Sequence, residues 1–187
     1  MDKENPPIMK EKRVLFESKI FRLIEKDMEF ASGDTETWEV VEFKGRGGAR
    51  MAAITNNNEI VFVREYRGAA ERYVLRLPTG LIEDGEEPLR AAQRELREET
   101  GFEAKNITLL KKLESTSGYY KGAPISIFIA TNLAKARETS REIGEQGMEV
   151  KLIPLEEAFS MAENAEFEDV ETNYAVLLCK KHFSQKM

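Results

Sequence analysis

Over residues 16–30 and 35–43, β-branched and aromatic residues recur among charged ones, and Ser32-Gly33-Asp34 between the two stretches is a turn signal. Together they predict a β-hairpin. Gly45-Arg46-Gly47-Gly48 then breaks the pattern. Residues 51–55 and 60–64 flank Asn56-Asn57-Asn58 and predict a second strand–turn–strand unit, and residues 73–77 predict a short strand closed by Pro78. Here the period changes. Leu89, Ala92 and Leu96 recur at i, i+3 and i+7, Pro88 suits a first helical turn and Gly101 suits a C-terminal cap, so residues 88–100 predict a helix. Strands are expected over 107–113 and 125–130, a loop over the charged stretch 135–149, a last strand over 150–153, and two helices over 155–163 and 170–182. Residues 1–12 are polar, contain Pro6 and Pro7, and are expected to be loose. Many strands, one helix, more strands and then helices is not the regular alternation of a doubly wound fold. The expected class is α/β, with a mixed sheet carrying helices on both faces.

Composition narrows the chemistry. The chain has 187 residues, 41% hydrophobic and 33% charged, enough for one core and unlike a low-complexity chain. Lys and Arg number 28 against 34 Asp and Glu, a net charge of −6, which argues against a long nucleic-acid partner. One cysteine, Cys179, excludes a disulfide framework and a thiolate metal cluster, and one histidine, His182, excludes a multi-histidine site. Any metal must therefore sit on oxygen ligands, which points to Mg²⁺, Mn²⁺ or Ca²⁺. Cys179 reads as a small buried hydrophobe and His182 as a surface or helix-end residue; neither is expected to be catalytic. No stretch reaches the roughly 18–20 apolar residues of a membrane span, and the start has no apolar signal region. A cytoplasmic protein without a membrane partner is expected.

The informative segment runs from Gly80 to Phe102. Residues three and four apart on a helix share a face, so Glu95, Glu98 and Glu99 put three carboxylates on one ridge. Such a cluster repels itself unless a positive charge sits among its members, and a hard divalent cation would supply one. Leu89, Ala92 and Leu96 form a neighbouring stripe that can dock on a sheet. Arg94 can hold Glu98 from four residues away, and Glu86, ahead of the helix, can brace Arg94. Gly80 and Gly85 allow tight turning beside the helix start. By composition alone the same segment reads as a solvated helix rich in Glu and Arg.

The segment resembles the Nudix hydrolase signature, G-x5-E-x7-R-E-U-x-E-E-x-G-U with U a bulky apolar residue. Every specified position matches: Gly80, Glu86, Arg94, Glu95, Leu96, Glu98, Glu99, Gly101 and Phe102. The resemblance implies an α/β/α sandwich around a mixed β-sheet, with the box (80–102) forming a loop–helix–loop in a Nudix hydrolase domain (46–187). It implies hydrolysis of a diphosphate linked to another moiety, with Mg²⁺ or Mn²⁺. Carried over residue by residue, Glu95, Glu98, Glu99 and the carbonyl of Thr79 become metal ligands, while Glu86 and Arg94 support them. Glu98 or another box glutamate is also a candidate base.

Beyond the box the chain is similar to the ADP-ribose pyrophosphatase and nucleoside-diphosphate-sugar branch, most of all to bacterial ADP compounds hydrolases. An N-terminal extension and β-hairpin (1–45), the run Val63-Arg64-Glu65-Tyr66-Arg67, the box entry Leu77-Pro78-Thr79-Gly80 and the stretch Val150–Leu155 after an acidic loop carry this likeness. It implies Arg67 on the substrate diphosphate, Trp38 stacked on adenine, a loop glutamate near Glu145 positioning water with Glu142 the second choice, and a homodimer paired through the hairpin. The alternatives are an ordinary strand-end arginine for Arg67 and hairpin packing for Trp38. Where much of the branch has Ser-Pro-Gly, this chain has Thr116-Ser117-Gly118 followed by Tyr119 and Tyr120. A tyrosine there is associated with dinucleoside polyphosphate hydrolases, so Tyr119 is a candidate substrate contact. The expected reaction is cleavage of ADP-ribose and related ADP compounds or nucleotide sugars. GDP-mannose or dinucleoside polyphosphate hydrolysis, or a non-catalytic ADP-ribose-binding module, are the alternatives.

Overall fold

Cross-strand charge pairs line the first two strands. The computed structural model describes residues 5–114, 117–136 and 147–185. In chain order the elements are β1 (Ile8–Glu17), β2 (Phe21–Glu29), β3 (Thr35–Phe43), β4 (Gly48–Ile54), β5 (Glu59–Arg67), β6 (Arg72–Arg76) and β7 (Thr79–Leu81). Then come α1 (Pro88–Thr100), β8 (Phe102–Leu113), β9 (Tyr120–Lys121), β10 (Ile125–Lys135), β11 (Glu149–Pro154), α2 (Leu155–Glu163) and α3 (Val170–Ser184). The chain divides into two compact units, Met1–Gly47 with Glu114–Pro124, and Gly48–Leu113 with Ile125–Met187.

The smaller unit is a four-stranded sheet in the order β1-β2-β3-β9. β2 and β3 meet around the turn at Gly33, whose φ of 89° suits a residue without a Cβ. β1 corrects the expectation of a loose start. It pairs antiparallel with β2 from Ile8↔Glu29 to Glu17↔Arg22. Arg13 grips Asp27 with both guanidinium nitrogens (2.6 and 2.9 Å) and Glu25 at 3.1 Å, and Lys10 reaches Glu29 at 3.0 Å. These partners lie on another strand, so a polar stretch read by itself shows no strand period.

The larger unit carries a seven-stranded sheet with the path β11-β5-β4-β10-β8; β6 pairs with β5 and β7 with β4. β4 and β10 run parallel and the remaining pairs antiparallel, so the sheet is mixed. Alternate residues go to opposite faces. Ala49, Met51, Ala53, Phe128 and Ala130 pack with Ala91, Ala92 and Leu96 of α1. Ala52, Ile54, Ile127 and Ile129 pack with Ala158, Phe159 and Ala162 of α2 and Ala175, Val176 and Cys179 of α3. This is the expected α/β/α layering. β8 begins five residues before the expected strand and β10 runs past residue 130, because the two pair along their whole length from Phe102↔Lys135 to Leu113↔Ile125. Of the expected loop 135–149, residues 137–146 lie outside the described residues; Lys135 and Glu149 belong to strands.

One feature of the sheet places the site. β4 and β5 pair only at Ala53↔Val61 and Ile54↔Ile60. Beyond that they part, β4 taking β7 as neighbour and β5 taking β6. The link from Arg76 to Gly80 thus enters the opening beside α1. It is pinned from the opposite face by the buried Arg50. That guanidinium bonds Asp169, Thr172 Oγ1 (2.7 Å) and Glu171 (2.8 Å), while Thr172 Oγ1 accepts the Leu77 N–H at 3.2 Å. No helix among the described residues is long and apolar enough to cross a membrane.

Candidate active site

The box folds locally for simple reasons. Pro88 occupies the first turn of α1, where its missing N–H costs nothing, and the Glu87 carbonyl accepts from the Arg90 and Ala91 amides at 2.8 and 3.1 Å. Gly101 ends the helix in the left-handed conformation (φ 72°, ψ 21°), donating its N–H to Arg97 at 2.9 Å. Ala91, Ala92 and Leu96 face the sheet. Leu89 does not join them: it stays 41% exposed in the first turn, and Ala91 takes the inward position expected of it. Gly80 has a different role. A Cβ there would stand 1.7 Å from Glu95 Cδ and 1.8 Å from its Oε1. Only glycine lets the Glu95 side chain cross β7 at this distance.

The three box carboxylates are each met by a guanidinium. Arg94 forks onto Glu86 with Nε and Nη2, both at 3.1 Å, and its Nη1 reaches Glu95 at 2.7 Å and Glu98 at 3.2 Å. Its Nη2 also donates to the Leu81 carbonyl at 3.0 Å, tying the helix to the end of β7. Arg94 holds the Glu86 carboxyl below the usual carboxylate range. The bracing expected of Glu86 and Arg94 is therefore present.

Glu99 is met by a different arginine and is only 2% exposed. It accepts from the Thr79 N–H at 2.9 Å and from Arg76 Nη2 at 3.1 Å. Burial pushes its carboxyl up to about 8, against the pull of Arg76 and the Thr79 amide. The Thr79 carbonyl accepts from both terminal nitrogens of Arg76, each at 3.2 Å. Among the described residues no three acidic, histidine or cysteine side chains gather closely enough to hold a metal. The donor set nevertheless suits a hard cation: three carboxylates and a carbonyl, all oxygen, one carboxylate being too buried to ionise readily without a positive partner.

The remaining candidates are distributed. Arg67 lies at the end of β5, half-exposed, with Nη1 3.3 Å from Glu65 Oε1. Trp38 lies on β3 of the smaller unit with its ring edge-on to Phe30 at 6.0 Å. Tyr119, in the same unit, is 77% exposed and gives its carbonyl to the Val41 N–H. Glu142 and Glu145 lie outside the described residues. Cys179 is buried, its thiol pushed up to about 12 by that burial, and His182 sits in the last turn of α3 beside Phe183, as expected of both. Arg76 and Glu65 are the residues that sequence reasoning missed. A signal existed: strand alternation puts Arg76 on the same face as buried Val74, an unusual place for a cation.

Two outcomes follow from this geometry. Gly80→Ala forces Glu95 out of its path and should lower activity about 10- to 100-fold with little change in secondary structure. Turnover and circular dichroism of the variant check this, and wild-type turnover would contradict it. Second, folded Glu99 keeps its proton to a higher pH than the unfolded chain does, so metal-free stability should fall as pH rises from about 4.5 towards about 8. Glu99→Gln should remove that component. Melting temperatures of both metal-free proteins across the range decide it: parallel curves would contradict the assignment.

Comparison with known proteins gives the family. Residues 45–174 match the NUDIX domain. An ADP-ribose pyrophosphatase of Bacillus subtilis (strain 168) is 33% identical over 166 residues, 88% of each chain. The ADP compounds hydrolase NudE of Escherichia coli (strain K12) is 34% identical over 116 residues, 62% of this chain and 61% of that one. A crystal structure of an ADP compounds hydrolase superposes with a TM-score of 0.88 at 24% identity, covering 100% of this chain and 98% of the other, a likeness of fold. With the domain matched over most of its length, and a relative that spans nearly all of it, this chain belongs to the Nudix hydrolase family.

Proposed function

We propose that the chain hydrolyses the diphosphate bond of ADP-ribose and related ADP compounds, releasing AMP and ribose 5-phosphate from ADP-ribose. The observation that carries this reading is the oxygen-only donor set at the entry to α1 and along it: Glu95, Glu98, Glu99 and the Thr79 carbonyl. The choice of substrate is supported by the Bacillus subtilis relative named ADP-ribose pyrophosphatase. Nudix hydrolases generally use divalent metals. Here those four groups would hold Mg²⁺ or Mn²⁺, which when bound offsets charge on the phosphate oxygens and makes water more acidic.

The chain's own residues divide the remaining work. Arg67, half-exposed at its strand end, would fork onto the diphosphate. Arg94 and Glu86 keep Glu95 and Glu98 oriented, the outer support on which such sites depend. A loop glutamate, Glu145 or failing it Glu142, would hold and deprotonate the attacking water. Trp38 and Tyr119 are proposed for the base of the substrate, since a flat ring can stack on adenine.

A homodimer is also proposed. Among the described residues β1 has β2 as its one strand partner, which leaves its outer edge without a strand beside it there. Ile8, Val14, Leu15 and Phe16 on it are 48–65% exposed, an apolar edge that a second copy could cover.

Chromatography of ADP-ribose incubated with the protein and Mg²⁺ should give AMP and ribose 5-phosphate. Glu99→Gln should lower the rate by at least about 100-fold while the protein stays folded. Binding of ADP-ribose without products would instead indicate a binding module, and preferential cleavage of GDP-mannose or dinucleoside polyphosphates would move the substrate. For assembly, sedimentation should give twice the chain mass of 21.4 kDa, and Phe16→Asp should reduce it. A wild-type monomer at micromolar concentration would contradict the dimer.

A further inference from the structure

Arg76 occupies an unusual position. It is 7% exposed, on a strand, and its guanidinium is surrounded by acceptors belonging to three parts of the larger unit. Nε donates to Glu65 Oε2 of β5 at 2.5 Å. Nη2 donates to Glu99 Oε1 of α1 at 3.1 Å. Nη1 and Nη2 both donate to the Thr79 carbonyl at the start of β7, at 3.2 Å. The loop closes on itself, because the Thr79 N–H donates to the second Glu99 oxygen at 2.9 Å. One planar cation thus contacts both the carbonyl and the carboxyl group that are proposed as metal ligands, and the Thr79 N–H holds the second oxygen of the latter.

Strand alternation extends the arrangement. Glu65 and Arg67 lie on one face of β5, and Glu65 Oε1 stands 3.3 Å from Arg67 Nη1. Side-chain exposure rises along the series from Glu99 at 2% through Arg76 at 8% and Glu65 at 14% to Arg67 at 52%. Acidic and basic groups alternate at every step: carboxyl, guanidinium, carboxyl, guanidinium. The buried end is the proposed metal ligand and the exposed end the proposed phosphate clamp.

We infer that Arg76 is a positioning residue that presents Glu99 and the Thr79 carbonyl to the divalent cation, with Glu65 as its anchor. The physical reason is geometric. A buried carboxyl group held at one oxygen alone could swing away, and a flexible ammonium would contact it without fixing its plane. The planar guanidinium fixes that plane, reaching Glu99 Oε1 and the Thr79 carbonyl together. Glu65 keeps the fork from rotating and stops Arg76 from adding an unbalanced positive charge beside the place where a cation must bind.

This inference rests on the reading of Glu99 and Thr79 as metal ligands, and the test separates the two. Mn²⁺ binding is followed by the loss of its free electron paramagnetic resonance signal, without substrate, in wild type, Arg76→Gln, Arg76→Lys and Glu65→Gln. Activation by Mn²⁺ and the KM for ADP-ribose are measured alongside. Arg76→Gln should bind Mn²⁺ about 10- to 100-fold more weakly, with a matching rise in the Mn²⁺ needed for activity and little change in KM. Arg76→Lys should recover only part of the affinity. If the Arg76 variants do not fold, Glu65→Gln, which keeps its shape and loses its charge, decides: it should weaken Mn²⁺ several-fold. Wild-type Mn²⁺ affinity in a folded Arg76→Gln, or in Glu65→Gln where that variant decides, overturns the inference. No Mn²⁺ binding by the wild type would sink the metal-site reading itself.

Discussion

A carboxyl group buried to 2% exposure needs a polar partner fixed beside it, and Glu99 is such a group in the larger unit. Arg76 is that partner, and the arrangement of the surrounding chain follows from bringing the two together. Arg76 ends β6, Glu99 lies in the last turn of α1, and Thr79 between them in sequence touches both through its amide and its carbonyl. The strand-to-helix passage is therefore closed into a ring of polar contacts with few degrees of freedom.

The mixed sheet makes room for that ring. Were β4 and β5 paired along their lengths, no opening would exist for the Arg76–Gly80 link. They part after two residue pairs, and short strands β6 and β7 take up the freed edges. Gly80 then lets Glu95 cross β7, and Arg94 fastens Glu86, Glu95, Glu98 and the Leu81 carbonyl into a second cluster. Arg50 secures the same link from the opposite face through Thr172. Two arginines organise the carboxylates, and a third holds the strand connection on which they depend.

Much of this was legible in the sequence. The box helix runs over the expected residues because its signals are local: Pro88 at the start, Gly101 at the end, apolar spacing between. The Arg94–Glu98 contact was legible for the same reason, being a matter of helical spacing, and the Glu86 brace from its place just ahead of the helix. What escaped was non-local. β1 is held by Arg13 against Asp27 and Glu25, residues more than ten positions away, and its own pattern says little. Arg76 escaped because its three acceptors come from β5, β7 and α1, which spacing cannot bring together. Leu89 was misplaced because a period marks a face of a helix but not how far the sheet beneath it extends.

The central claim is that the oxygen groups around the start and inner face of α1 hold the divalent cation. Anomalous diffraction from crystals grown with Mn²⁺ tests it most directly. The predicted result is a Mn²⁺ peak contacted by Glu95, Glu98 or Glu99 together with the Thr79 carbonyl. A Mn²⁺-activated enzyme whose peak lies elsewhere, with those groups still held by arginine alone, would contradict it.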